Sequence, residues 1–309
     1  MRHPLPQALL EYRAISKLKS TYTDALPKLI HPDSNRIHTS FHQTGTATGR
    51  LSSSKPNLQN IPIRTTLGKE VRKAFRSSKE DYRIIAADYS QIELRILAHL
   101  ANESGLLEAF NDNQDIHHAT AAKIFDTTEV SSEQRSRAKA INFGLIYGMG
   151  PQKLAKDTGV KTSEAKEFIK NYFETYPKIR EYIDGRVAFA KENLYVETLS
   201  GRRRPLHAIN GKNKLQSINA EHMAVNSPIQ GSAADLIKLA MVSIQKKLEE
   251  TQVRAKMLLQ VHDELIFECH KDEIDDLKDL VRKGMEEALS LSVPLRVDIG
   301  EGTNWLEAH

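Results

Sequence analysis

Two stretches far apart in the chain each carry a short apolar run that breaks off at an acid. Together they limit what the chain can fold into. Arg83–Arg95 reads RIIAADYSQIELR. Ile84, Ile85, Ala86 and Ala87 form the kind of run found in buried strands; it stops at Asp88 and passes into helical spacing through Ile92, Leu94 and Leu97. Met257–Cys269 reads MLLQVHDELIFEC, with apolar runs on either side of His262-Asp263-Glu264. That pattern predicts a hairpin of two buried strands with acids at its turn. A purely structural hairpin favours Asn-Gly or Asp-Gly there, not three titratable groups. A carboxylate at the mouth of a buried strand costs desolvation energy unless a cation or hydrogen bonds compensate it. Alone, Asp88 reads as a helix cap. With a second strand-borne acid downstream, the expectation becomes two acids converging at adjoining sheet ends.

The 309 residues are long for one hydrophobic core and predict two or three subdomains. A net charge of +4 permits a polyanionic partner. The single cysteine, Cys269, excludes an internal disulfide and fits a reducing compartment. No apolar run approaches the roughly 20 residues that span a bilayer. MRHPLPQALLEYR at the start lacks a signal peptide's apolar core. The expectation is a soluble, cytoplasmic protein with no membrane partner.

Pro4 to Tyr22 predicts a helix with an apolar face of Leu9, Leu10, Tyr12, Ile15 and Leu18. His42 to Thr65 is the most loop-like part, rich in hydroxyls and amides, with Arg50, Lys55 and Arg64. Polar loops of this length are often functional. Asn57, Gln59, Asn60 and Arg50 are residue types that reach base edges and nucleic-acid backbones, although an ordinary surface loop has the same composition. The adjacent His117 and His118 point apart on a helix, which disfavours a shared metal.

Ser131 to Gly150 is a stronger signal. Ser131 with Gln134 makes a capping box, and Gly148 is placed to end the helix. Arg135, Lys139, Phe143 and Tyr147 recur every four residues and lie along one stripe about 18 Å long. Two cations followed by two aromatics match a triphosphate followed by its sugar and base. The competing reading is an amphipathic helix whose aromatics face the core. Further on, Gly201-Arg202-Arg203-Arg204-Pro205 reads as a basic turn after a β-like run. Pro228 stands where a helix can start, with Asn226 and Gln230 near its beginning. Pro294 to Ile299 predicts a last strand, with Trp305 against the same sheet.

DYSQIELR (Asp88 to Arg95), the Arg135–Gly148 series and QVHDE (Gln260 to Glu264) resemble, in order, the first palm motif, the fingers helix and the second palm motif of family A DNA polymerases, the bacterial DNA polymerase I group. TATGRLSS, PNLQNIP and NSPIQG match as well, so the likeness runs from about Pro4 to the end. The resemblance implies an α+β right-hand fold with an antiparallel-sheet palm and helical fingers. Its implied divisions are a thumb remnant at 1–30, palm at 31–98, fingers at 99–205 and palm again at 206–309. The thumb is expected to be largely absent, with no room for proofreading or 5′-nuclease domains, and a separate chain is a candidate to supply them.

The implied activity is that of a DNA-directed DNA polymerase of replication and repair, a nucleotidyltransferase that adds deoxynucleotides to a primer 3′-hydroxyl by two-metal chemistry. Its partners would be primer-template DNA and dNTPs. The resemblance assigns two Mg²⁺ ions, with Mn²⁺ as a substitute, to Asp88, Asp263 and the Tyr89 backbone. Glu264 becomes an auxiliary acid. Arg135, Lys139 (also counted as catalytic) and His117 would hold the triphosphate. Phe143 would stack on the nucleotide and Tyr147 stand at the template base, while Glu93 with Tyr147 would exclude a ribose 2′-hydroxyl. Gln91, Arg50, Asn226, Gln230 and His262 would check the primer-template, with Asn57, Asn60 and Gly148 as further DNA contacts. One position departs from the pattern: His222 stands where most members have arginine, which predicts a weaker, more pH-dependent grip on the duplex. Competing readings are a single-subunit RNA polymerase, a two-metal nuclease and a non-catalytic DNA-binding fragment.

Overall fold

The structure is a computed structural model and describes residues 4–63 and 65–309. Among them, helices alternate with eight strands: β1 (Ser40–His42), β2 (Ser52–Ser54), β3 (Tyr82–Tyr89), β4 (Tyr195–Glu197), β5 (Arg203–Pro205), β6 (Ala255–Val261), β7 (Glu264–His270) and β8 (Val297–Gly302). The strands make a four-stranded sheet in the order β6-β7-β3-β8 and two two-stranded ones, β1-β2 and β4-β5. The chain divides into two compact units. One runs up to Asp88 and takes in Ile244–Lys283 and Asp298–His309; the other is Tyr89–Ser243 with Gly284–Val297.

The first unit is built on the four-stranded sheet. Ile84 to Ala87 in β3 are all buried, so both faces of this strand are covered. Strand β7 lies antiparallel to β3 and to β6, so the two acid-bearing runs are neighbours and their acids meet at adjoining sheet ends, as expected. A bulge between Met257 and Leu259 interrupts β6. On one side of the sheet, Ile84, Ala86, Val261 and Ile266 pack with Tyr22, Leu58 and Trp305. Each such side chain contributes about 1.5–3 kcal/mol on burial. Trp305 thus packs against the sheet, as expected.

Elsewhere the expectations need correction. The first helix is Leu5–Leu18, continued by a π-helical turn to Thr23. Leu5, Leu9, Leu10, Tyr12 and Ile15 are exposed, and only Leu18 and Tyr22 of this segment join the core. The stretch from His42 to Thr65 is less loop-like than its composition suggests. His42 and Ser52–Ser54 belong to the β1-β2 pair, whose serine-rich strand lacks the branched side chains that advertise β-structure. Hydroxyl contacts hold it, such as Thr39 Oγ1 to Ser53 Oγ at 2.7 Å. The last strand begins at Val297, later than predicted. Pro294 has no N–H to give a ladder.

The second unit is mainly helical: Ile92–Ala101, Ser104–Asn111, Ile116–Ile124, Ser132–Ile146, Pro151–Thr158, Thr162–Thr175 and Pro177–Asn193. Tyr172 and Tyr176 are fully buried and meet edge to face at 5.1 Å. Lys214–Thr251 is one helix of 38 residues that runs through Pro228 without breaking. An interior proline loses one backbone hydrogen bond, but Ala224, Val225, Ser227 and Ile229 around it are all buried, and packing keeps the helix continuous. The arginine triplet is no loose basic turn. Arg202 Nη2 lies 2.8 Å from Asp235 Oδ1, Arg204 Nη1 donates to Ser227 Oγ at 2.8 Å, and the Arg203 guanidinium covers the Tyr195 ring at 4.4 Å. Among the described residues no helix is long and apolar enough to cross a membrane.

Candidate active site

Register brings the predicted acids together. Asp88 in β3 pairs with Glu264 in β7, while Val261 of β6 pairs with the same Glu264 across the turn His262-Asp263. Residues opposed in this way hold their Cβ atoms about 4.5–5.5 Å apart. Burial first, then the charges of Glu264, Asp263 and Asp298, push the Asp88 carboxyl up to about 7, against a smaller opposite pull from His309. Burial also raises Asp263, opposed by Arg50, whose Nη2 lies 3.9 Å from Oδ1. The helix-cap reading of Asp88 fails, because the next helix starts at Ile92 and its cap residue, Gln91, makes no side-chain capping bond. Gln91 itself is left-handed, with φ 55°.

Glu264 is turned to other partners. Its Oε1 accepts from Trp305 Nε1 at 3.2 Å and contacts His309 Nδ1 at 3.1 Å, with Arg72 Nη1 4.0 Å from Oε2. Arg72 is only 3% exposed and covers the Trp305 ring at 4.1 Å. Its Nε and Nη1 find no hydrogen-bond acceptor among the described residues. Burial lowers the Arg72 pKa, while Glu264 and Asp88 act to raise it. Carboxylates crowded until one holds its proton near neutrality suit a divalent cation, which relieves their repulsion. Their hard oxygens fit Mg²⁺, which is usually completed by water and substrate phosphates. No group of three or more His, Cys, Asp or Glu arranged for a metal occurs among the described residues. That agrees with Glu264 being engaged by Trp305 and His309. The Tyr89 side chain is buried, and its hydroxyl donates to Met285 O at 2.7 Å.

The stripe lies on the helix Ser132–Ile146, whose capping box between Ser131 and Gln134 forms as predicted. Arg135 and Lys139 are exposed, Phe143 is half-buried and Tyr147 is 42% exposed, while Ala138, Ile141, Asn142, Leu145 and Ile146 are buried. The aromatics therefore do not make this helix's core, as the competing reading required. Arg135 Nε donates to Asp115 Oδ2 at 2.7 Å, and Asp115 caps the helix Ile116–Ile124 through the N–H groups of His117 and His118. Although burial acts to raise Asp115, these donors hold its carboxyl below the usual range. His117 is buried and His118 exposed, so the two diverge as expected. The Tyr147 hydroxyl donates to Glu93, a carboxylate only 6% exposed. Gly148 ends the stripe at φ +71°, where a Cβ would overlap the His222 ring.

The sequence profile of DNA polymerase family A matches residues 1–307. The chain belongs to DNA polymerase family A. DNA polymerase I of Pseudomonas aeruginosa is 52% identical over 99% of this chain and 34% of its own length. That of Bacillus subtilis is 48% identical over 99% and 35%. The chain thus spans about a third of the curated relatives it matches. Among solved structures, the POL domain of Pol1 from M. smegmatis, in complex with DNA primer-template and dNTP, matches with a TM-score of 0.94. It is 44% identical, with 99% of this chain and 54% of that one covered. The α+β fold is therefore that of a family A polymerase domain.

The remaining candidates of this family A chain lie at the 3₁₀ turn Leu58–Asn60, at the β6-β7 turn and on the long helix. Asn57 Oδ1 accepts from Gln59 N at 3.0 Å, and Asn60 O accepts from the Tyr22 hydroxyl at 2.7 Å; both asparagines are exposed. Gln59 Nε2 bonds Gln260 Oε1 at 3.0 Å, which makes it structural. Arg64 lies outside the described residues. His262 takes φ 57° at the hairpin turn, and partial burial and Arg50 push its pKa down. Asn226 and Gln230 stand one helical turn apart on Lys214–Thr251, and Asn226 Oδ1 is buried with no hydrogen-bond partner among the described residues. Sequence reasoning missed Arg72, His309 and Asn142. Nothing in VRKAF sets Arg72 apart from the lysine beside it, and the other two matter only through partners distant in sequence.

Proposed function

We propose that this chain catalyses template-directed addition of deoxynucleotides to a primer 3′-hydroxyl. One observation carries the reading: Asp88 stands in register beside the Asp263-Glu264 turn, its carboxyl held near pH 7 by burial and by the other acids. Supporting it, the curated relatives are named DNA polymerase I, and the matching solved structure was obtained with DNA primer-template and dNTP. In this reading the palm is 31–98 with 206–309, the fingers 99–205, and 1–30 belongs with the thumb.

Asp88 and Asp263, with the Tyr89 main chain, would hold two Mg²⁺ ions (Mn²⁺ offers the same hard-ion chemistry), which stabilise charge on the attacking and leaving oxygens of the phosphoryl transfer. Asp88 must give up its proton to serve. Glu264, fastened by Trp305 and His309, adds negative charge beside the pair and keeps the hairpin turn in place. Arg135 and Lys139 neutralise the triphosphate, and Lys139 also meets charge that develops in the transfer. His117 is a further phosphate contact, and Phe143 offers a stacking face. The Tyr147–Glu93 bond fixes a buried carboxylate that rejects a ribose 2′-hydroxyl, which favours dNTPs over NTPs. Arg50, Asn57, Asn60, Gln91, Gly148, Asn226, Gln230 and His262 contact the primer-template. His222, packed on Gly148, stands where most members of the family have arginine, which weakens that grip.

Extension of a labelled primer-template with Mg²⁺ and dNTPs tests the reading. Asp88→Ala and Asp263→Ala are each expected to lower kcat roughly a thousandfold or more with DNA binding retained. Full activity in either variant overturns it, and so does degradation of the DNA in place of extension.

A further inference from the structure

Asn142 sits on the buried side of the stripe helix, next to Phe143, with no exposed surface at all. Asparagine is a poor residue for a helix interior, and a buried amide needs partners for both of its ends. Its Nδ2 lies 3.1 Å from His117 Nδ1 and 3.1 Å from Thr120 Oγ1. Thr120 Oγ1 is in turn 3.3 Å from the Tyr176 hydroxyl and 3.4 Å from Asn142 Oδ1. In this orientation both amide hydrogens have acceptors. Turned the other way, the amide would bury an NH₂ with only the 3.4 Å contact to Thr120 within reach. The imidazole Nδ1 therefore accepts, and a neutral ring must carry its proton on Nε2.

The charges around the ring favour that neutral form. Asp115 at the start of the same helix pulls His117 towards protonation. Lys139 and Arg135, from the helix packed against it, push the other way, and the two groups reached through Asn142, the Thr120 hydroxyl and the Tyr176 phenol, are uncharged. Burial is the largest influence, and together these lower the His117 pKa to about 4. The Phe143 ring, 5.6 Å from the imidazole, covers it further.

We propose that Asn142 is a positioning residue that locks His117 as the neutral Nε2–H tautomer, so that His117 meets the nucleotide's phosphates as an uncharged hydrogen-bond donor. The charge for the phosphates then comes from Arg135 and Lys139 alone. The nucleotide part of this proposal rests on the polymerase reading above; the tautomer does not. It also makes nucleotide affinity independent of histidine titration across the neutral range, which an imidazolium contact would not do.

Two measurements test it. In ¹⁵N-histidine protein, two-bond ¹H–¹⁵N correlation spectra report which ring nitrogen carries the proton, and His117 is assigned by its loss in His117→Gln. The ring is expected to stay neutral and Nε2-protonated from pH 5.5 to 8. A ring found protonated on Nδ1, or charged at pH 6.5, overturns the proposal with no variant needed. In Asn142→Asp an acceptor of the same shape replaces the donor, so Nδ1 should become protonated and the ring should charge near neutrality. The KM for dNTP should then acquire a pH dependence that Asn142→Asp/His117→Gln lacks. His117→Gln, which keeps a neutral donor, should raise KM by less than roughly threefold, against roughly tenfold for His117→Ala. If the spectra show the expected tautomer but no His117 variant moves KM, the contact with nucleotide fails while the tautomer stands.

Discussion

Asp88 and His117 carry ordinary side chains into surroundings that move their protons in opposite directions, and each leaves a trace in stability. The folded Asp88 pKa of about 7 lies above its usual 3.8, so ionisation opposes folding progressively between about pH 4 and 7 and fully above that. A bound cation removes the penalty. Mg²⁺ should therefore raise the Tm of the wild type by several degrees at pH 8 and by much less at pH 5 (roughly 2–4 °C per kcal/mol). In EDTA at pH 8, Asp88→Asn should melt above the wild type and respond little to Mg²⁺; a wild type indifferent to Mg²⁺ at pH 8 would contradict this. His117 runs the other way. Its folded pKa of about 4 lies below the usual 6.5, so its contribution is complete above pH 6.5 and is lost as pH falls towards 4. Thermal melts of His117→Gln should be flatter than wild type across that window. At this scale the sequence announces Asp88 and Asp263, because an acid terminating an apolar run is conspicuous. Arg72 and Asn142 stay hidden, since a buried guanidinium over Trp305 and an amide against His117 exist only after folding.

The stripe helix joins three signals that can be read locally: a capping box at its start, four-residue spacing along it and a glycine at its end. Ser131→Ala removes the cap and should cost about 1 kcal/mol in denaturant unfolding, within the usual range for N-caps. Gly148→Ala asks an L-residue to hold φ +71° and to displace the His222 ring. It should cost at least about 1 kcal/mol and lower activity more than Ser131→Ala does, because it disturbs the end of the stripe. Equal activity in the two variants would separate the stripe's end from function. The elements that could not be read locally share a cause. Pro228 looks like a helix start, yet the packing of Ala224, Val225 and Ile229 overrides the missing hydrogen bond. Serine-rich β2 looks like loop, because its pairing with β1 is secured by hydroxyl contacts and not by branched side chains.

Across the molecule, the two acid-bearing motifs that a reader of the sequence can recognise are separated by more than half of its length, and strand pairing brings them together. The family and the α+β class could be read because three motifs occur in order; how the strands line up could not, since cross-strand register leaves no mark in composition. With a net charge of +4, primer-template affinity should follow counterion release, falling roughly tenfold or more between 50 and 200 mM salt with a straight line of log affinity against log salt. Fluorescence anisotropy of labelled DNA measures this, and a flat line would argue against phosphate-dominated binding. Trp305, the sole tryptophan, donates its indole N–H to Glu264 one residue from Asp263 and lies under the Arg72 guanidinium. The protein thereby carries its own optical reporter: without any attached dye, its intrinsic emission should respond to what arrives at the acids, and no second indole elsewhere dilutes the signal.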